Sequence, residues 1–173
     1  MTNQKLTVEQ AEVQLKELAK RWLAMDGLWF QAVERKYGME AAIELDKQAW
    51  AHFSPIEANR IMNFLGIEPG GGLDALEKCL QYRCYSFINT QEITRPAPDK
   101  CVLKMTACRV QDARHRKGMN PFPCKEVGVI EYETFAKTID PRIEVNCIAC
   151  PPDEQKRDFW CAWEFTLNKH HPA

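Results

Sequence analysis

Cys124, Cys147, Cys150 and Cys161 stand close together in the C-terminal half of a chain that carries eight cysteines. Thiolates in such a pattern can hold a soft metal ion, and Cys147-x-x-Cys150 has the pair spacing of many zinc sites. Arg142 to Cys150 and Phe159 to Leu167 read as strands joined by the polar loop Pro151 to Asp158, which predicts an antiparallel hairpin. If the loop is centred near Glu154, Cys147 faces Cys161, and opposed Cβ atoms stand about 4.5–5.5 Å apart. That suits two thiolates on one tetrahedral zinc ion, with Zn–S near ~2.3 Å. Cys124 opens the helix that feeds the hairpin, and a helix N-terminus favours a thiolate. Glu144 is a nearby oxygen ligand. An iron–sulfur cluster on the four thiols is the other cofactor this set could hold. Simple burial of unreactive thiols competes with both.

A second chemistry centres on Cys108, which precedes Arg109, Arg114, His115, Arg116 and Lys117. Positive neighbours stabilise a thiolate, so Cys108 with His115 could act as the nucleophile and base of a hydrolase on a small molecule. A metal-dependent hydrolase with an open coordination position is the variant of that reading. Arg109 and Arg114 could instead grip a carboxylate or phosphate. Trp22, Trp29, Phe30, Trp50 and Phe53 are helix aromatics, some of which are expected to line a cavity, with His52 beside them as a group that could orient a ligand. The natural ligand expected is a small organic molecule, aromatic or anionic. No Ser-His-Asp triad, phosphate loop or HExxH motif is present.

The elements that must position these residues change period midway. Residues 1–81 read as helices. Thr7 and Gln10 form a capping-box pattern, and an apolar face runs through Leu15, Leu18, Ala19, Trp22 and Leu23. Asp26-Gly27 predicts a break, followed by a short helix to Tyr37 with Gly38 as its stop. Ser54-Pro55-Ile56-Glu57 predicts a new helix start, and Gly66 its end. Leu73 to about Gln81 is one more helix. From residue 82 the period becomes two: Tyr82 to Ile88 and Cys101 to Val110 predict strands around the loop Arg95–Asp99. Arg109 to Pro123 predicts a loop, and Cys124 to about Thr138 a helix. The result is a single α+β domain over 1–173, with N-terminal helices on a mainly antiparallel sheet, closing with a helix and the cysteine-bearing hairpin.

Cys124, a helix, Glu144-x-x-Cys147, and Cys161 before an aromatic-rich strand together resemble the 4-vinyl-reductase-type domain, which includes phenol-sensing input modules of bacterial transcription activators. The resemblance covers the C-terminal half. It implies a structural zinc on Cys124, Glu144, Cys147 and Cys161, beside a buried pocket for an aromatic ligand. The gap between Cys147 and Cys161 is longer here, and Cys150 is an extra thiol that could replace Glu144. Residues three apart on a regular strand face opposite ways, so Glu144 and Cys147 share a metal only across a bulge. The whole chain also resembles an uncharacterised family of prokaryotic cytosolic proteins. The likeness lies in Cys108 to Arg114, Phe122-Pro123-Cys124-Lys125, Pro151-Pro152-Asp153 and Cys161 to Phe165. A more distant likeness, mainly topological, is to the hydrolases that open 2-amino-thiazoline-4-carboxylate.

The formal net charge of -1 gives no global field toward nucleic acid or an anionic membrane. No apolar run reaches the roughly 20 residues that span a bilayer, and MTNQKLTVEQ is polar rather than a signal peptide. A cytoplasmic location is therefore expected, where eight cysteines argue for metal or free thiols more than for disulfides. The amphipathic N-terminal helix could pack on a second copy to make a homodimer, or on the domain's own core.

Overall fold

The structure is a computed structural model, and it describes residues 5–154 and 158–168. Two long helices, α1 (Val8–Tyr37) and α2 (Met39–Leu65), fold back on each other through Gly38. This one-residue hinge has φ +89°, a backbone conformation that only glycine adopts without strain. Then follow α3 (Gly72–Leu80), a 3-10 turn at Cys84–Phe87, β1 (Thr90–Ala97), β2 (Lys100–Ala107), α4 (Arg109–Arg116), α5 (Lys125–Ile139), β3 (Ile143–Ala149) and β4 (Cys161–Leu167). The strands form one antiparallel sheet in the order β1-β2-β4-β3. This is an α+β domain, with its helices concentrated at the N-terminal end and cysteine-bearing strands at the C-terminal end. No helix among the described residues is long and apolar enough to cross a membrane.

The core lies between one face of the sheet and helices α2, α3 and α5. Leu103, Trp163 and Phe165 from the strands meet Phe135, Ala136 and Ile139 of α5, and Ala58 and Leu76 close the cluster. Burying a side chain such as Phe135 or Leu76 contributes about 1.5–3 kcal/mol each. Asp140, fully buried after α5, ties the layers together. Its carboxylate accepts from the Gly72 backbone N–H at 2.9 Å and from the Arg142 guanidinium at 2.7 Å. That arrangement holds the carboxyl below its ordinary range, chiefly through Arg142.

Thr7 and Gln10 cap α1 reciprocally, the Gln10 N–H donating to Thr7 Oγ1 at 3.2 Å. Elsewhere the chain departs from the local signals. Asp26-Gly27 does not break α1, because Ala19 and Leu23 are buried and the helix is held against α2 and the 3-10 turn. An interior glycine costs only about 1 kcal/mol, which such packing outweighs. Ser54-Pro55 does not start a helix either; α2 runs through it with Pro55 inside. Trp50, Ala58, Ile61 and Met62 are buried on both sides of the proline and keep the two halves in line.

The predicted strand Tyr82–Ile88 is a turn and a 3-10 helix instead, because Arg83 is drawn into the core by two carboxylates. β1 begins at Thr90 and takes in Arg95–Ala97, which the prolines suggested as a loop. The basic segment after Cys108 forms α4, and only residues 117–124 remain irregular. On α1, Leu15, Leu18, Met25 and Trp29 remain exposed.

Candidate ligand cavity and thiol cluster

Four of the six thiols of the C-terminal half converge where the start of α5 meets the ends of β3 and β4. Cys150 lies at the centre: its sulfur is 3.5 Å from that of Cys124 and is hydrogen-bonded to those of Cys124, Cys147 and Cys161. These bonds push the Cys150 thiol far up, whereas its contact with Cys150 lowers the Cys161 thiol despite burial. The hairpin register differs from the simple expectation. Cys147 faces Trp163, not Cys161, and a register shift between Cys147 and Ala149 brings Ala149 opposite Ala162. The bulge turns the chain so that Cys150 moves inward next to Cys161. Glu144, paired with Thr166 on the regular part of β3, is exposed. It stands three residues from Cys147 with no bulge between them, so the two side chains leave opposite faces of the strand.

The loops around the cluster are pinned. Lys125 Nζ pairs with Asp153 at 2.9 Å, and the Cys150 N–H donates to the same carboxylate at 3.1 Å. Gln111 of α4 is buried; its side-chain amide donates to the Phe122 carbonyl at 2.8 Å and accepts from the Phe122 N–H at 2.9 Å. The same Nε2 reaches Cys124 Sγ at 3.6 Å. In a tetrahedral tetrathiolate with Zn–S of about 2.3 Å, neighbouring sulfurs stand about 3.8 Å apart. The Cys124–Cys150 separation of 3.5 Å is within a few tenths of that spacing, and four sulfurs are a donor set zinc accepts. Among the described residues, however, no group of three or more histidine, cysteine, aspartate or glutamate side chains stands open at metal-coordinating geometry. The thiols close on one another through hydrogen bonds.

Against this cluster lies a cavity of about 390 Å³, built by α1, α2, the 3-10 turn, α4, α5 and the sheet. Cys124, Cys150 and Cys161 belong both to its wall and to the thiol cluster. Its aromatic lining is Phe30, Trp50, Tyr85, Phe122, Tyr132 and Trp163. Trp50 and Tyr85 stack with centroids 5.8 Å apart, and Trp22 packs edge-on to both. Trp163 Nε1 is buried without a hydrogen-bond partner, although its N–H favours the ionised form of Cys161.

Carboxylates enter from three helices: Asp26 of α1, Asp46 of α2 and Glu131 of α5. Burial raises all three, and Asp46 is pushed up to about 7 by burial first and then by Asp26 and Glu131. Arg83 sits behind them, 2.9 Å from Glu57 and 2.8 Å from Glu131, with its guanidinium over the rings of Phe135, Tyr132 and Trp50. The Arg83 Nη2–Glu131 Oε1 approach is an ion pair without hydrogen-bond alignment, so both atoms lack a directed partner.

Of the residues singled out from sequence, Trp50, Cys108, Arg109 and Arg114 line the cavity, whereas His52 and His115 are exposed and do not. Burial pushes the Cys108 thiol up to about 12, which keeps it protonated and a weak nucleophile. Arg114 is buried and held by Glu34 through two hydrogen bonds of 2.8 and 2.9 Å, so its fork is already filled. Asp26, Asp46, Glu131 and Tyr85 were not anticipated. Asp46 stands four residues from each of the buried residues Ala42 and Trp50, and Asp26 three from buried Leu23. A carboxylate on the apolar stripe of a helix was the available signal.

Fold and site together define an α+β domain with an internal, aromatic, acid-bearing cavity walled on one side by a cluster of thiols. The chain matches the family of unknown function DUF6125 over residues 4–167, and it belongs to that family. No curated protein matches it.

Proposed function

We propose that this domain binds a small organic molecule in the cavity and holds a structural zinc ion on Cys124, Cys147, Cys150 and Cys161, in a reducing, cytosolic compartment. One observation carries the reading: Cys124, Cys150 and Cys161 line the cavity and also converge on one another, so an ion there would brace the cavity wall. The cavity is in the size range of small-molecule sites, with an apolar, aromatic lining and a few polar groups. All eight cysteines are free, which suits a compartment that keeps thiols reduced. Zinc would act as a cross-link between α5, β3 and β4. The protein side chains do the rest: aromatic rings enclose the ligand and the carboxylates and Arg109 orient it. The hydrolase alternative has less support, since Cys108 is held as a neutral thiol and His115 faces solvent.

The test has two parts. Elemental analysis of protein purified without chelator is expected to give about one zinc per chain, lost in Cys147→Ser and Cys161→Ser. Absence of metal from the wild type would sink the zinc part. For the cavity, ligand-observed NMR with a mixture of small aromatic compounds is expected to show binding that Ala113→Trp, which fills the cavity, abolishes. Binding unaffected by that substitution would place it elsewhere.

A further inference from the structure

Three carboxylates from three different helices border one cavity, and only one of them, Glu131, stands in an ion pair among the described residues. Glu131 shares its one cation, Arg83, with Glu57. Among the described residues Asp26 and Asp46 have no ion-pair partner. The other cations of the wall are Lys20, Arg109, Arg114, Arg116 and Lys117, of which Arg116 is exposed, and none stands in an ion pair with Asp26 or Asp46 among the described residues. Arg114 is taken by Glu34 and Lys20 by Glu17, while Lys117 donates to Gln31 from an exposed position.

An unneutralised pair of carboxylates in a largely buried site is costly unless something pairs with it. A second observation points the same way. Glu131 is more than nine-tenths buried and lines the cavity, and its Oε1 meets only Arg83 Nη2, at 2.8 Å without hydrogen-bond alignment and on a guanidinium shared with Glu57. The rings have the matching property, because aromatic faces attract cations, best with Trp and Tyr. This wall already shows that behaviour: the Arg83 guanidinium lies 5.8 Å from the Trp50 centroid and 5.2 Å from that of Tyr132.

We propose that the molecule bound in this cavity carries a cationic nitrogen, an amine or a quaternary ammonium, seated between Asp26 and Asp46 against the rings of Trp50 and Tyr85. This rests on the cavity being a small-molecule site and deepens it by naming the ligand class. It reverses the anionic preference that Arg109 and Arg114 suggested, because Arg114 is spent on Glu34. The raised Asp46 carboxyl fits: its proton is held on by burial and by Asp26 and Glu131, with only the Trp50 N–H favouring charge. A bound cation would offset that repulsion and release the proton.

The experiment uses three probes of similar size: benzyltrimethylammonium, benzyl alcohol and benzoate. Each is titrated into the full chain and followed by tryptophan fluorescence, with Asp26→Asn and Asp46→Asn alongside. The ammonium is expected to bind about tenfold tighter than the alcohol near pH 8, with benzoate weakest. Being permanently charged, it should lose about tenfold in affinity between pH 8 and pH 5.5 as Asp46 protonates, and Asp46→Asn should flatten that dependence. The alcohol should bind both variants as it binds wild type. Benzoate or the alcohol binding as tightly as the ammonium, or ammonium affinity unchanged in both variants, would overturn the inference and leave the cavity reading standing. No binding by any of the three would overturn both.

Discussion

The Trp163 indole fills the space beside Gly128: a β-carbon on Gly128 would lie 2.5 Å from Cζ2 and 2.8 Å from Cη2 of that ring. This close approach sets how α5 seats on β4, and Trp163 also lines the cavity. Gly128→Ala must therefore displace a fully buried ring. Overpacking of this kind costs about 1–3 kcal/mol, which outweighs the roughly 1 kcal/mol an alanine adds to helix propensity. Gly27 of α1 is the contrast, its β-carbon meeting only Gln31 Nε2 at 4.0 Å. Urea unfolding is expected to show Gly128→Ala destabilised and Gly27→Ala stabilised by up to about 1 kcal/mol. Equal behaviour of the two would mean that the ring yields freely.

Arg83 is a buried cation held between Glu57 and Glu131 and over three rings. Burial alone would lower its affinity for the proton, but the two carboxylates outweigh that and keep it charged. Arg83→Met leaves Glu57 and Glu131 facing each other in the core. Removing one member of a buried charge group costs about 3–5 kcal/mol. Denaturant midpoints should fall accordingly, and Arg83→Met with Glu131→Gln together should recover part of the loss. A double variant no better than the single one would show that packing of the guanidinium on the rings, not charge, is what matters.

How much of this was legible in the sequence follows from which interactions are local. The capping box at Thr7, the stop at Gly66, α5 after Cys124 and the strands on either side of residues 150–160 rest on nearest neighbours, and they were readable. Arg83 turned a predicted strand into a 3-10 turn because of Glu57 and Glu131, partners distant in sequence. Pro55 lies inside α2 because buried residues on both sides hold it, whatever its own preference. The four thiols were singled out together, yet the regular register of β3 on β4 already sets Cys147 opposite Trp163, and the shift that follows it, which places Ala149 opposite Ala162, is something no pattern of period two encodes. The acidic residues of the cavity were missed because each looks like an ordinary helix carboxylate until α1, α2 and α5 are brought together.

The placement of Cys150 and Glu144 separates two ligand sets for the proposed zinc. Cys150 is buried at the centre of the cluster, whereas Glu144 is exposed on β3. Cys150→Ser is expected to reduce bound zinc to well below one per chain and to lower the unfolding midpoint, and Glu144→Gln to change neither measurably. Loss of a structural zinc ligand in a small domain removes several kcal/mol of binding energy that is also folding energy, of the order of 10 kcal/mol for a whole site. Elemental analysis and thermal melts on both variants, with and without chelator, check it. Zinc retained in Cys150→Ser but lost in Glu144→Gln would assign the fourth position to the carboxylate.

Asp46 gives stability a pH dependence whose sign can be worked out. Its carboxyl titrates near 3.8 in the unfolded chain and near 7 in the folded one. The folded state therefore holds the proton more tightly, and the group's contribution is fully present below about pH 4 and lost as pH rises toward 7. Asp46→Asn removes the loss, so its advantage over wild type should grow between pH 4 and 7 and then level off. A tenfold change in acidity is worth about 1.4 kcal/mol, which sets a ceiling near 4 kcal/mol, and water entering the cavity reduces the gain to about 1–3 kcal/mol. Paired lowered groups such as Glu34 and Asp140 pull the wild-type profile the other way at lower pH, but they are common to both proteins and cancel in the difference. Urea unfolding of the ligand-free proteins at several pH values measures that difference. A gap that stays constant from pH 4 to 8 would mean that Asp46 is as well solvated folded as unfolded, and that the cavity accommodates its charge without a ligand.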